Sequence, residues 1–233
     1  LEYYEALVPA LVGALSGYVV FVTITGLGLD PALHLPAPGP LEPGHLPLAA
    51  ALGVLGAVLA AVFTYGTRVL RIGWRRLPTA MRPIAGGLAL GGLAVLSPYA
   101  LTFGEEQIST ISVADLSVAA LVGAGLAKLA GAALIVTAGW RGGFIIPLFF
   151  VGAAFGAATA DAFDLDRGIV MAALMVAVNV GVTKTPLGST LIVAGMAGFA
   201  ALPTMLIAAL VALLLTSRIG MIDTQRAREG ETA

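Results

Sequence analysis

The sequence contains no cysteine, which excludes a disulfide and a thiolate metal centre and leaves the redox state of the compartment unreadable. Histidine is almost as scarce: His34 and His45 share one Pro-rich stretch, too far apart in a flexible loop to argue for a metal site. Charged residues make up 11% of the 233 residues, against about 25% in soluble domains. No Ser-His-Asp, His-Glu-x-x-His or P-loop pattern occurs. The net charge of −1 offers nothing to a phosphate backbone. An enzyme, a bound cofactor, a metal site and a nucleic-acid partner are therefore not expected. Strict apolar–polar alternation is also missing, which excludes a membrane β-barrel.

What is present is apolar. Hydrophobic residues reach 59% and mean hydropathy is +1.00. No charged residue falls within 6–29, 46–67, 83–104, 142–160 or 185–217. Runs of about 18 or more such residues cross the roughly 30 Å hydrocarbon slab. Segments 116–140, broken only by Lys128, and 168–182 add two candidates. The pattern predicts an all-α, multi-spanning integral membrane protein, because helices satisfy their own backbone in lipid. Helices are expected near 4–28, 47–73, 81–101, 113–138, 144–161, 168–182, 186–199 and 201–216. The last three are too short to span upright, and Pro186 and Pro203 stand where helices start. Short, Gly/Pro-interrupted segments of this kind predict tilted and re-entrant helices. Gly13/Gly17, Gly87/Gly91 and Gly152/Gly156 have the small-xxx-small spacing of close helix packing. Arg68, Arg71, Arg75, Arg76 and Arg82 crowd one loop, and Arg218, Arg226 and Arg228 the C-terminal end. The positive-inside rule places both in the cytoplasm and turns the Lys- and Arg-free stretch 30–47 outward as a solvated connector. The chain starts with Leu and has no basic n-region, so it reads as the interior of a longer protein rather than a signal peptide.

One stretch raises a chemical question: GWRGGFIIPLFFVGAAFG, residues 139–156. A helix opening with Phe144, Ile145 and Ile146 leaves their N–H groups without intrahelical acceptors. Pro147 fits that first turn. Gly142 and Gly143 carry no side chain to obstruct an approach. The macrodipole adds partial positive charge at the same end, so a helix starting at mid-membrane would hold an anion without a fixed countercharge.

The same residues resemble a family. GGFIIPLFFVGAAFG is similar to the second-half signature of the CLC chloride channels and H⁺/Cl⁻ exchangers, Gly-x-Phe-x-Pro, and VTKTPLGSTLIV resembles a downstream stretch of that family. The order of segments fits the last helix of the first inverted repeat (1–29), the second repeat (47–217) and a cytoplasmic tail (218–233). The resemblance implies a single CLC-like domain over 1–233. It also implies transport of chloride or another small anion by a channel or H⁺-coupled exchanger in the bilayer, the bacterial plasma membrane by expectation. Gly142, Gly143, Phe144, Ile145 and Pro147 would form the anion site, with the N–H groups of Phe144 and Ile145 as donors. The signature's Phe falls at Ile145, while Phe144 precedes it by one place. A tyrosine that touches the central anion in many members corresponds to Ile222, which has no hydroxyl. The family's serine motif and its Gly-x-Glu-Gly-Pro motif are absent from this chain, so the resemblance implies a missing N-terminal repeat. It further implies a homodimer, through helices matching 6–26, 186–199 and 201–216. Readings from other classes are a non-conducting remnant, or half of another inverted-repeat transporter for anions such as carboxylates.

The remaining polar residues are weighed against ordinary roles. Arg141 and Lys184 are candidates for steering anions, with interfacial anchoring and snorkelling as the ordinary alternatives. Lys128 sits within an apolar run, where a charge invites a functional reading but a long helix also lets lysine snorkel. Glu105 and Glu106 are expected in a solvated loop. Asp161, Asp164 and Asp166 are expected in a helix-linking loop, too irregular for an EF-hand.

Overall fold

The computed structural model describes residues 2–26 and 35–221, with side chains from Leu7 onward. Ile222, His34, Arg226 and Arg228 lie outside the described residues. The chain divides into two units, 1–32 and 33–233. The first holds α1 (Glu2–Thr25), which is apolar and exposed along its described length; the hydroxyls of Thr23 and Thr25 donate to the carbonyls of Val19 and Phe21.

The second unit runs α2 (His45–Trp74), α3 (Arg82–Leu96), α4 (Glu105–Val113), α5 (Val118–Ala138), α6 (Ile145–Phe163), α7 (Arg167–Thr183), α8 (Pro186–Ala197) and α9 (Leu202–Thr216). The expected all-α class is what the described residues adopt; they contain no strand. Among the described residues six helical segments are long and apolar enough to cross a membrane: 7–25, 45–74, 79–96, 118–138, 145–163 and, against the expectation that it is too short, 199–216, which a preceding turn lengthens. At 1.5 Å per residue α7 and α8 extend about 26 and 18 Å, short of the roughly 30 Å slab. Large apolar side chains such as Leu88, Val95, Leu187 and Leu214 are exposed, which suits a lipid surround. Arg68 donates to the carbonyl of Gly220 at 2.6 Å, so the arginine-rich end of α2 and the segment after α9 share one end of the unit.

α7 is the centre of this unit. Every residue from Gly168 to Val182 is buried, against α2, α6 and α9. That burial explains a segment apolar on every face. The α6–α7 contact rests on two glycines. A Cβ on Gly152 would lie 2.4 Å from Met175 Cα, and one on Gly156 2.6 Å from Met171 Cα, so the backbones touch. The spacing of Gly87 and Gly91 does not do this: Gly91 faces open space, and the packed residue is Gly86, against Ala138. Gly13 and Gly17 belong to α1, in the first unit.

The structure corrects other expectations. The segment anticipated as one helix over 113–138 begins only at Val118, where the Ser117 hydroxyl accepts the Ala120 N–H. Ahead of it lies an additional helix, α4. Glu105 and Glu106 occupy its first turn, where carboxylates complement the macrodipole, rather than a loop. Ile108 and Ile111, one turn apart, bury the inner face of α4 against α6. α3 stops at Leu96 and Pro98 starts a separate turn. The Pro-rich connector is not simply solvated. Asp166 caps α7 by accepting the Ile169 N–H at 2.7 Å, and its second oxygen accepts the Gly39 N–H at 2.8 Å. Gly168 admits the carbonyl of Pro36 so closely that a Cβ would sit 2.4 Å from it.

Candidate functional site

The amino end of α6 collects most of the residues singled out in the sequence. The helix starts one position later than expected: Phe144 is its cap, accepting the Leu148 N–H at 3.0 Å, and Ile145 is the first helical residue. Pro147 falls in the first turn and is buried, because its missing N–H removes no bond there. The backbone N–H groups of Phe144, Ile145 and Ile146 therefore lead the helix without intrahelical acceptors. Gly142, Gly143 and Ile145 are exposed and Phe144 half-buried. A Cβ at Gly142 or Gly143 would meet nothing within 4 Å, so the approach to these N–H groups is open. The Phe144 ring leans on Phe63 of α2 at 6.1 Å, which holds the cap from one side.

From beneath, α7 supplies a contact no sequence pattern announced. Asn179 is fully buried, and its Nδ2 donates to the carbonyl of Ile145 at 2.8 Å. Its Oδ1 is buried without a hydrogen-bond partner. The only cue was an amide in the middle of an apolar run, VAVNVGV.

A cavity of about 550 Å³ reaches this end of the helix, lined by Leu90, Lys128, Trp140, Gly142, Gly143 and Pro147 among others. Lys128 does not snorkel. It is 1% exposed, and its ammonium donates to the carbonyls of Leu101 (2.6 Å) and Thr102 (3.1 Å) and to Gln107 Oε1 (2.7 Å). It also lies 5.0 Å from the centre of the Phe150 ring. Its three donors are thus used by neutral acceptors. It pins the turn before α4, where Thr102 (φ 62°) and Gly104 (φ 101°) both adopt left-handed conformations.

Arg141 is exposed and adjoins the α6 amino end in sequence. Trp140 donates its indole N–H to the carbonyl of Pro83 and anchors that loop to the start of α3. Lys184 is placed differently. In a left-handed conformation (φ 62°) it caps the carboxyl end of α7, its ammonium donating to the carbonyl of Gly181 and to Thr216 Oγ1. Cations suit that end of a helix. Asp164 and Asp166 sit at the α6–α7 link as expected, whereas Asp161 belongs to the last turn of α6, 3.6 Å from Arg167. His45 Nδ1 accepts the Glu42 N–H at the start of α2.

A family model described as voltage gated chloride channel matches residues 3–217. The chain is 30% identical over 148 residues to chloride channel protein CLC-e of Arabidopsis thaliana, a match covering 59% of this chain and 21% of that protein. It is 27% identical over 187 residues to a chloride/fluoride channel protein of Pseudomonas syringae pv. tomato, covering 76% and 40% respectively. Among solved structures, a CLC-type fluoride/proton antiporter superposes with a TM-score of 0.80 at 24% identity, over 96% of this chain and 56% of that one. A slow cyanobacterial Cl⁻/H⁺ antiporter superposes at 0.69 and 21% identity, over 82% and 48%. At these identities the two structures establish a shared fold. The chain spans less than half the length of the two curated relatives it matches.

Proposed function

The chain belongs to the voltage gated chloride channel family, and from that premise we propose that it forms one half of a transmembrane anion pathway, carrying chloride or a similar small anion. It is an integral membrane protein, and the family's work is transport, by channels or by proton-coupled exchangers. The observation that carries the proposal is the open amino end of α6. Unbonded N–H groups and a helix dipole follow directly on two glycines that line a cavity and whose Cβ positions are open space. The N–H groups of Phe144 and Ile145 are the proposed donors. Such a site binds by partial charges alone, which keeps an anion's residence short enough for passage.

The pathway is completed by the part of the relatives that this chain does not match. Residues 1–29 are read as the end of a first repeat, 47–217 as the second and 218–233 as a cytoplasmic tail. The separation of 1–32 from 33–233 is compatible with that division. Arg141 is proposed to steer anions toward the α6 end. Lys184 is the weaker candidate for steering, since its ammonium already serves the end of α7. Assembly as a homodimer and residence in the bacterial plasma membrane belong to the same proposal.

The test is chloride efflux from liposomes reconstituted with the protein that carries this chain, comparing wild type with Gly143→Val. The new side chain has room, since a Cβ there meets nothing within 4 Å, yet it covers the approach to the N–H groups. Efflux should fall at least about tenfold, a loss of about 1.4 kcal/mol, with thermal stability unchanged. Equal efflux in the two proteins would remove the α6 end from the pathway.

A further inference from the structure

We propose that the cavity between α3 and α5 is a lipid site. It takes an anionic phospholipid of the cytoplasmic leaflet, with one acyl chain in the slot and the phosphate against Arg82 and Arg141. Gly87 and Leu90 of α3 and Gly131, Ala132, Ile135 and Val136 of α5 line the slot. Its volume of about 550 Å³ falls within the roughly 300–1,000 Å³ of small-molecule sites. Those residues carry no polar side-chain atom, and Lys128, at the inner end, has its donors taken by Leu101, Thr102 and Gln107. Water finds few partners in such a space, which suits hydrocarbon instead. Lipid binding here does not depend on what passes the α6 end.

Depth and charge identify the occupant. Lys128 lies midway along the 21 residues of α5, so the stretch from Lys128 to Ala138 extends about 15 Å, half of the roughly 30 Å slab. The slot therefore reaches from mid-membrane to one interface, the depth of a single acyl chain. Two tryptophans mark that interface: Trp74 donates its indole N–H to Thr137 Oγ1 at 2.8 Å, and Trp140 donates to the carbonyl of Pro83 at 2.9 Å. The mouth is open, since Trp140, Gly142 and Gly143 line the cavity and are exposed. Arg141 stands between Trp140 and Gly142 in sequence, and Arg82 precedes Pro83, donating its Nε–H to the carbonyl of Leu77 at 3.1 Å. Arg68, Arg71, Arg75 and Arg76 crowd the same end, and segments 43–104 and 116–160 contain no Asp or Glu to offset them. The positive-inside rule turns this end to the cytoplasm, where the leaflet is anionic and basic pockets between spans bind lipid phosphates.

The experiment uses the full protein that carries this chain, in nanodiscs. One preparation contains phosphatidylglycerol with a diazirine near the end of one acyl chain, the other phosphatidylcholine with the same chain. After illumination, peptide mass spectrometry should find phosphatidylglycerol adducts on residues 131–136, at least about fivefold above those of phosphatidylcholine. Ala132→Phe fills the slot and should cut these adducts at least about fivefold, while adducts at lipid-exposed Leu214 stay as they were. Arg82→Gln and Arg141→Gln should each lower the phosphatidylglycerol adducts about fivefold and leave those of phosphatidylcholine unaltered. Adducts confined to exposed positions such as Val95 and Leu214 overturn the site, because they report only the surrounding bilayer. Equal labelling by the two lipids overturns it as well, since the arginines then select nothing. Should Ala132→Phe fail to fold, Gly87→Leu fills the slot from α3, where a Cβ meets only Trp140, at 3.6 Å. The wild-type adduct map decides between slot and bilayer even without either variant.

Discussion

Replacing Lys128 with methionine keeps the length and most of the apolar contact of the side chain while deleting the ammonium. Three acceptors then lose their donor: the carbonyls of Leu101 and Thr102, and Gln107 Oε1. Each costs about 1–3 kcal/mol if it stays dry, a gross loss of about 3–9 kcal/mol. Against this, the ammonium no longer has to be stripped of water, which returns several kcal/mol. The adjoining cavity can also supply water to the freed oxygens. The left-handed conformation of Thr102, costly by about 1–2 kcal/mol, relaxes once the pin is gone. The expected net destabilisation is about 2–4 kcal/mol, which lowers the melting temperature of a chain this size by about 4–16 °C. Detergent-solubilised protein followed by thermal unfolding reads the loss. Hydrogen exchange should show it concentrated at residues 101–107, and Lys128→Arg should recover much of it. A methionine variant that melts within 2 °C of wild type (roughly one kcal/mol or less), with unaltered exchange at 101–107, would refute the structural role assigned to Lys128.

Two further outcomes follow from packing and capping. Gly156→Ala should cost about 1–3 kcal/mol as the new methyl drives α6 from the α7 backbone, whereas Gly91→Ala, facing open space, should stay within about 0.5 kcal/mol; equal melting temperatures would contradict the packing described. Asp166→Ala removes the cap of α7 and the anchor of Gly39 together. The cap alone is worth about 1 kcal/mol, and proteolysis within 35–44 should quicken, an effect that a cap with no second contact would not produce.

Much of the membrane architecture was legible in the chain because lipid imposes a one-dimensional rule. Spans are uncharged runs of sufficient length, and the sequence by itself determined those, the prolines that start α8 and α9, and the exposed donors at the α6 amino end. These properties depend on a residue and its neighbours within a turn. What escaped the sequence depends on partners far along the chain. α4 was hidden because nine residues beginning with two glutamates look like a solvated loop until Ile108 and Ile111 find α6. Lys128 looked able to snorkel until the turn at 101–107 closed over its ammonium. Gly87/Gly91 had the packing spacing, yet the phase of α3 brought Gly86 to Ala138 instead. Asn179 reaches Ile145 only because Gly152 and Gly156 let α7 lie against α6 at backbone contact. Tertiary structure decided these four because a hydrogen bond or a van der Waals contact is fixed by distance in space. The sequence registers only the types of residue able to make it.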